Sequence, residues 1–125
     1  MQGLSHTDLN PKNVIFDGTK IRFIDFEGTG CGDIFIDLGA AISYAMMDHE
    51  LGRYIFTQQD QQYALDCYFK RSLSVQEIRH LQKMIMAACL YYGAVEIQKN
   101  NQNSLDEATA FFAIAQKLYD QCQDV

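Results

Sequence analysis

His6-Thr7-Asp8-Leu9-Asn10-Pro11-Lys12-Asn13 decides how this chain is read, together with Ile21-Arg22-Phe23-Ile24-Asp25-Phe26-Glu27, which follows within a dozen residues. The first stretch has the form H-x-D-x-x-x-x-N. The second reads as a strand that ends on a carboxylate. Between them the apolar runs Val14-Ile15-Phe16 and Ile21-Arg22-Phe23-Ile24 flank Asp17-Gly18-Thr19-Lys20. Asp-Gly tolerates the positive φ of a tight hairpin turn, so two antiparallel strands are expected to bracket it. Asn13 then stands just before the first strand and Asp25 at the end of the second.

That placement suits phosphoryl transfer. A hydroxyl attacking a phosphate must lose its proton near the transition state, and an ionised carboxylate a few ångströms away can accept it. Asp8 is the candidate base. Asn13 offers a neutral carbonyl oxygen and Asp25 an anionic one. Such hard oxygen donors match magnesium's preference and leave coordination sites for phosphate and water. Singly, Asp and Asn are ordinary turn and cap residues. What distinguishes them here is the order: His, Asp, Asn, hairpin, Ile-Asp-Phe-Glu, then Asp37 opening an apolar helix.

From Phe35 onward apolar residues recur at helical spacing, first over Ile36 to Tyr44 and then from about Gln58 to Phe69. Ser74-Val75-Gln76-Glu77 and Ser104-Leu105-Asp106-Glu107 each place Ser three residues before Glu, the capping box of a helix start. Two long helices are expected there. The first runs to about Lys99 with Ile78, Leu81, Ile85, Ala88 and Tyr92 on its apolar face; the second runs to about Gln121 with Ala108, Phe111, Phe112, Ala115 and Leu118. The expected fold is α+β and mainly helical: a small hairpin carrying the catalytic and metal loops, packed on four or five helices.

With 125 residues, 48% of them hydrophobic, the chain has the size of one domain. Its 16 acidic and 10 basic residues leave a net charge of −6, and no Lys/Arg stripe tracks a nucleic-acid backbone. Cys31, Cys67, Cys89 and Cys122 form no C-x-x-C pair, and no signal-like segment or membrane-length apolar run is present. Reduced thiols and a cytoplasmic protein without nucleic-acid or membrane partners are expected. His49 and His80 stand apart from other metal-ligand types, so a zinc site is not expected. Lys12 and Lys20 read as solvated loop lysines.

Leu4-Ser5-His6-Thr7-Asp8-Leu9-Asn10-Pro11-Lys12-Asn13-Val14-Ile15, with Phe23-Ile24-Asp25-Phe26-Glu27, resembles the aminoglycoside phosphotransferase and choline kinase superfamily through about Tyr44. The C-terminal lobe of that superfamily is protein-kinase-like. The resemblance implies that Asp8 is the catalytic base, that Asn13 and Asp25 bind Mg2+ with ATP as co-substrate, and that His6 is the structural histidine of the loop. Ile36-Asp37-Leu38-Gly39-Ala40 is similar to the family's downstream segment, which implies that Asp37 bonds back to the catalytic loop and orients it. The Ile-Asp-Phe-Glu form resembles that of choline, ethanolamine and related kinases, which makes Glu27 a candidate substrate contact. Asp48, Glu50, Tyr54, Tyr91 and Tyr92 are candidates for lining a pocket for a cationic alcohol.

The chain departs from the family in having no Gly-rich loop, no strand Lys for the α/β-phosphates and no helix Glu to pair with it. These parts normally lie upstream of residue 1. Residues 1–125 are therefore expected to be a C-terminal lobe without its nucleotide-binding lobe, with the catalytic loop and hairpin in 1–34 and a helical subdomain in 35–125. Alone, such a chain is expected to be inactive or weak, because the chemistry depends on positioning the phosphates. A homodimer, or association with the N-terminal lobe on another chain, would complete the cleft around a small-molecule hydroxyl substrate and a nucleotide. The alternative from a different class is a non-catalytic binding module.

Overall fold

The computed structural model describes residues 2–45, 47–48, 53–54 and 57–123. The chain order is β1 (Gln2–Ser5), a 3-10 turn (Pro11–Asn13), β2 (Val14–Phe16), β3 (Ile21–Phe23), β4 (Gly30–Asp33), α1 (Ile34–Ala45), β5 (Met47–Asp48), β6 (Arg53–Tyr54), α2 (Gln58–Phe69), α3 (Val75–Gln98) and α4 (Gln102–Gln123). The fold is mainly helical with a small β part. Among the described residues no helix is long and apolar enough to cross a membrane.

The expected hairpin forms in the register Val14↔Phe23, Ile15↔Arg22 and Phe16↔Ile21. Its turn is organised by the Asp17 carboxylate, which accepts from the Thr19 amide at 3.0 Å, the Thr19 hydroxyl at 2.9 Å and the Lys20 amide at 2.8 Å. Those donors, Lys20 first, hold the Asp17 carboxyl below the usual range. Gly18 takes φ +93°, where a side chain would be strained.

A second antiparallel pair, β1 with β4, was not expected from the sequence. It runs from Gln2↔Asp33 to Ser5↔Gly30 and delivers the chain directly into α1. A third short pair, β5 with β6, interrupts the part expected to be wholly helical. Asp33 closes β4 and begins α1: one oxygen accepts the Phe35 amide at 3.1 Å, and the other bonds His80 Nε2 on α3. Burial pushes the Asp33 carboxyl up, but the His80 and Phe35 bonds outweigh it and the net shift is downward.

The core lies between α1, α3 and α4, with Phe35, Ile42, Leu81, Ile85, Cys89, Phe111 and Ile114 buried and Leu65 contributed by α2. Burial alone pushes the Cys89 thiol up to about 12. On α3 the buried stripe is Leu81, Ile85, Cys89, Tyr92 and Glu96, a spacing of three and four. Ile78, expected on that face, is 41% exposed because the stripe begins one turn later. The start of α4 also needs correction. Asn101 caps it, its side chain accepting the Ser104 amide at 3.0 Å, so the helix begins before Ser104. Asn serves this position as well as Ser does, and it comes first in the chain.

α3 does begin at the Ser74–Glu77 capping box, reinforced by the Arg71 fork on Glu77 at 2.7 and 3.1 Å. Arg71, then the Ser74 amide and hydroxyl, bring the Glu77 carboxyl from its ordinary 4.5 to about 2. A depressed carboxyl stabilises the fold above its unfolded value and loses that contribution as pH falls through the folded one. The melting temperature is therefore expected to decline between pH 4.5 and about 2. Glu77→Gln, followed by circular dichroism across that window, should flatten this part of the curve; an unchanged slope would remove Glu77 as its source.

Val14, Phe16, Ile21 and Phe23 share one hairpin face. Three of them, Val14, Ile21 and Phe23, border with α1 and α2 a cavity of about 870 Å3, lined on the helical side by residues such as Leu38, Ala41 and Tyr68. Much of the apolar surface around this ribbon is uncovered: Leu4 is 75% exposed, Phe16 66% and Ile21 61%. Exposed apolar areas of this kind mark surfaces of association.

Candidate active site

The loop after β1 is shaped by its own side chains. Asn10 caps the 3-10 turn, its oxygen accepting the Lys12 amide at 2.9 Å, and Pro11, the only proline, sits where no amide hydrogen is needed. The turn ends on Asn13, which is buried. Asn13 Nδ2 donates to the Asp8 carbonyl and to Asp8 Oδ2, both at 3.0 Å, and Asn10 Nδ2 donates to Asp8 Oδ1 at 2.8 Å. Each carboxylate oxygen of Asp8 thus accepts one side-chain amide, while Asp8 itself remains exposed.

The end of the hairpin is stitched to this loop. The Ile24 amide donates to the Asn13 carbonyl at 3.0 Å, and the Ile24 carbonyl accepts from His6 Nε2 at 2.8 Å. His6 is buried, with its ring 4.9 Å from that of Phe26. Asp25 follows Ile24 at φ +64°, a conformation Asp tolerates better than most residues, and it is exposed. Phe26 to Thr29 then make a turn closed by the Thr29 amide on the Phe26 carbonyl at 3.0 Å, with Glu27 exposed within it.

Asp37, in the first turn of α1, reaches back about 30 residues. Its Oδ2 accepts the His6 amide at 2.7 Å and its Oδ1 the Thr7 amide at 2.8 Å. Asp8 and Asn13 therefore touch directly, Asp25 adjoins a residue bonded to both Asn13 and His6, and Asp37 grips the backbone just before Asp8. Glu27 makes no such contact with the others.

Sequence reasoning missed Asn10 and Thr7. The spacing of Asn10 was visible, but its donation to Asp8 depends on the turn it caps. It also missed Tyr44. Burial first, and then Glu96 and Asp8, push the Tyr44 phenol up to about 12. Of the residues expected to line a cation pocket, Tyr92 is buried against Tyr44 with centroids 4.2 Å apart, whereas Tyr91 is exposed. Glu50 and His49 lie outside the described residues, as do the side chains of Asp48 and Tyr54. His80 bonds Asp33.

Residues 1–71 match the family model described as the phosphotransferase enzyme family, more than half of the 125. The chain belongs to this family. No curated protein and no solved structure matches it. The match to the phosphotransferase family spans the loop, the hairpin, both of its polar ends and Asp37, and it stops short of α3.

The donor set suits the ion such chemistry uses. Asn13 spends its amide hydrogens on Asp8, which leaves Oδ1 without a hydrogen bond among the described residues. Asp25 adds an exposed carboxylate. Among the described residues no three His, Cys, Asp or Glu side chains cluster as a metal cage. One amide oxygen and one carboxylate are the kind of partial set that magnesium completes with phosphate and water.

Proposed function

We propose that this chain supplies the base and the metal ligands for Mg2+-dependent phosphoryl transfer from ATP to a hydroxyl of an amino alcohol or aminoglycoside, a reaction it carries out weakly if at all until a partner completes the cleft, in an arrangement like the C-terminal lobe of protein-kinase-like phosphotransferases. Asp8 accepts the proton of the attacking hydroxyl at a carboxylate oxygen. Its orientation is held by Asn10 and Asn13, and the backbone before it by Asp37. Asn13 Oδ1 and the Asp25 carboxylate would hold Mg2+, which when bound neutralises phosphate charge and keeps the donor in place. His6 fixes the hairpin end against the loop through Ile24, and Glu27 is offered as a contact for the acceptor's cationic group. The observation that supports this most is the hydrogen-bonded unit of Asp8, Asn13, Ile24 and His6, which brings a base and a hard oxygen donor together beside Asp25.

Asp25→Asn tests it. Asn tolerates the left-handed backbone, so the melting temperature should stay within about 1 °C of wild type. Mn2+ affinity, read by titration of free Mn2+, should fall about tenfold as the anionic ligand is lost. Equal affinity would remove Asp25 from the metal site.

The uncovered apolar surface at Leu4, Phe16 and Ile21 favours a companion reading in which a second copy seats on the hairpin and completes the cleft. Light scattering is expected to give twice the monomer mass, reduced to the monomer by Phe16→Glu. A wild-type monomer at high concentration would dispose of the pairing.

A further inference from the structure

Thr7 occupies φ +69°, a region where a β-branched residue is out of place and where Gly or Asn would sit more easily. Such a conformation persists only where surrounding contacts over-determine it. Two bonds hold it. The Thr7 amide donates to Asp37 Oδ1 at 2.8 Å, a bond any non-proline residue could make. The Thr7 hydroxyl donates to the Gly28 carbonyl at 3.0 Å, a bond the side chain alone supplies. Position 28 is matched to it, since a Cβ there would lie 2.5 Å from Thr7 Oγ1.

The consequence lies on either side of Asp25. Upstream, Ile24 is fixed by Asn13 and His6. Downstream, the Phe26–Thr29 turn is closed by its own backbone bond, and the Thr7 hydroxyl ties it to the residue immediately before Asp8. Without that hydroxyl the turn itself would keep no hydrogen bond to the loop and would be tied only through the Phe26 ring on His6 and the Ser5↔Gly30 strand pairing beyond it. We infer that Thr7 is a positioning residue: its hydroxyl locks the loop carrying Asp8 to the turn following Asp25, so that the base and the metal-side carboxylate keep one relative placement. The role in metal binding rests on the function proposed above; the tie itself does not.

Two variants separate hydroxyl from backbone. Thr7→Gly keeps the left-handed conformation and removes the hydroxyl, whereas Thr7→Ser keeps both. In metal-free protein, amide hydrogen exchange at Thr29 is expected to be about fivefold faster in Thr7→Gly and unchanged in Thr7→Ser, the scale of one hydrogen bond. Mn2+ affinity should weaken by a similar factor in Thr7→Gly and recover in Thr7→Ser. The melting temperature of Thr7→Gly should not fall, because relief of backbone strain offsets the lost bond. Equal Thr29 exchange in all three proteins overturns the tie. Faster exchange in Thr7→Gly with unaltered Mn2+ affinity overturns the positioning role. If the wild-type chain takes up no Mn2+, the metal assignment and the positioning role fall together, while exchange alone decides whether Thr7 joins the two segments.

Discussion

Asp8→Asn is expected to lower phosphoryl transfer about 100- to 10,000-fold, the range a positioned general base contributes. The substitution changes little in shape, so the loss should be chemical. Asp8 accepts from Asn10 at one oxygen and from Asn13 at the other. An Asn in its place has one acceptor and one donor, so one neighbouring amide would face another donor. That mismatch at an exposed site costs about 0.5–1.5 kcal/mol. It is far smaller than the roughly 3–5 kcal/mol that the rate loss represents. The measurement is turnover with ATP, Mg2+ and a panel of amino alcohols and aminoglycosides, with Mn2+ affinity and the melting temperature recorded for both proteins. Turnover that is measurable in wild type and equal in the variant would take Asp8 out of the chemistry altogether.

The sequence revealed the parts of this site whose partners are local. Asp17-Gly18 specifies a hairpin turn by its own chemistry, and Ser74 with Glu77 marks a helix start within four residues; both elements stand where the pattern put them. The β1–β4 pair was hidden for the opposite reason. Gly30 and Gly32 give β4 little strand character, and its partner lies almost 30 residues away. The Ser104 box misled because Asn101, with equal claim to cap a helix, lies three residues upstream. At the site, the pattern showed Asp8, Asn13 and Asp25 as residue types in order, but not the bonds among them. The reach of Asp37 to two loop amides and the hydroxyl of Thr7 on Gly28 exist only once β1 pairs with β4 and α1 turns back over the strand. Strain at Thr7 cannot be read from a threonine in a string of letters.

Gly39→Ala should destabilise the fold, although Ala is the better helix former by up to about 1 kcal/mol. Gly39 lies on α1 where it crosses α3. A Cβ there would stand 2.8 Å from the Met84 carbonyl carbon, 2.9 Å from its oxygen and 3.0 Å from the Ile85 nitrogen. These are backbone atoms of a helix and cannot rotate aside, so the two helices would have to separate. Overpacking of this kind costs about 1–3 kcal/mol, occasionally more, and exceeds the propensity gain. A net loss of about 1–2 kcal/mol corresponds to a melting temperature lower by roughly 4–8 °C. Gly93→Ala provides the contrast, because the atoms nearest its added Cβ belong to the Phe112 ring, a side chain that can turn. Its loss should be smaller. The effect of Gly39→Ala should also reach the site, since Asp37 lies two residues before it and holds the His6 and Thr7 amides. Urea denaturation gives the stability, and hydrogen exchange at those two amides tells whether Asp37 has shifted. A stabilised Gly39→Ala protein with both amides still protected would mean that α1 does not rest on α3 so closely, and the grip of Asp37 on the catalytic loop would need another foundation.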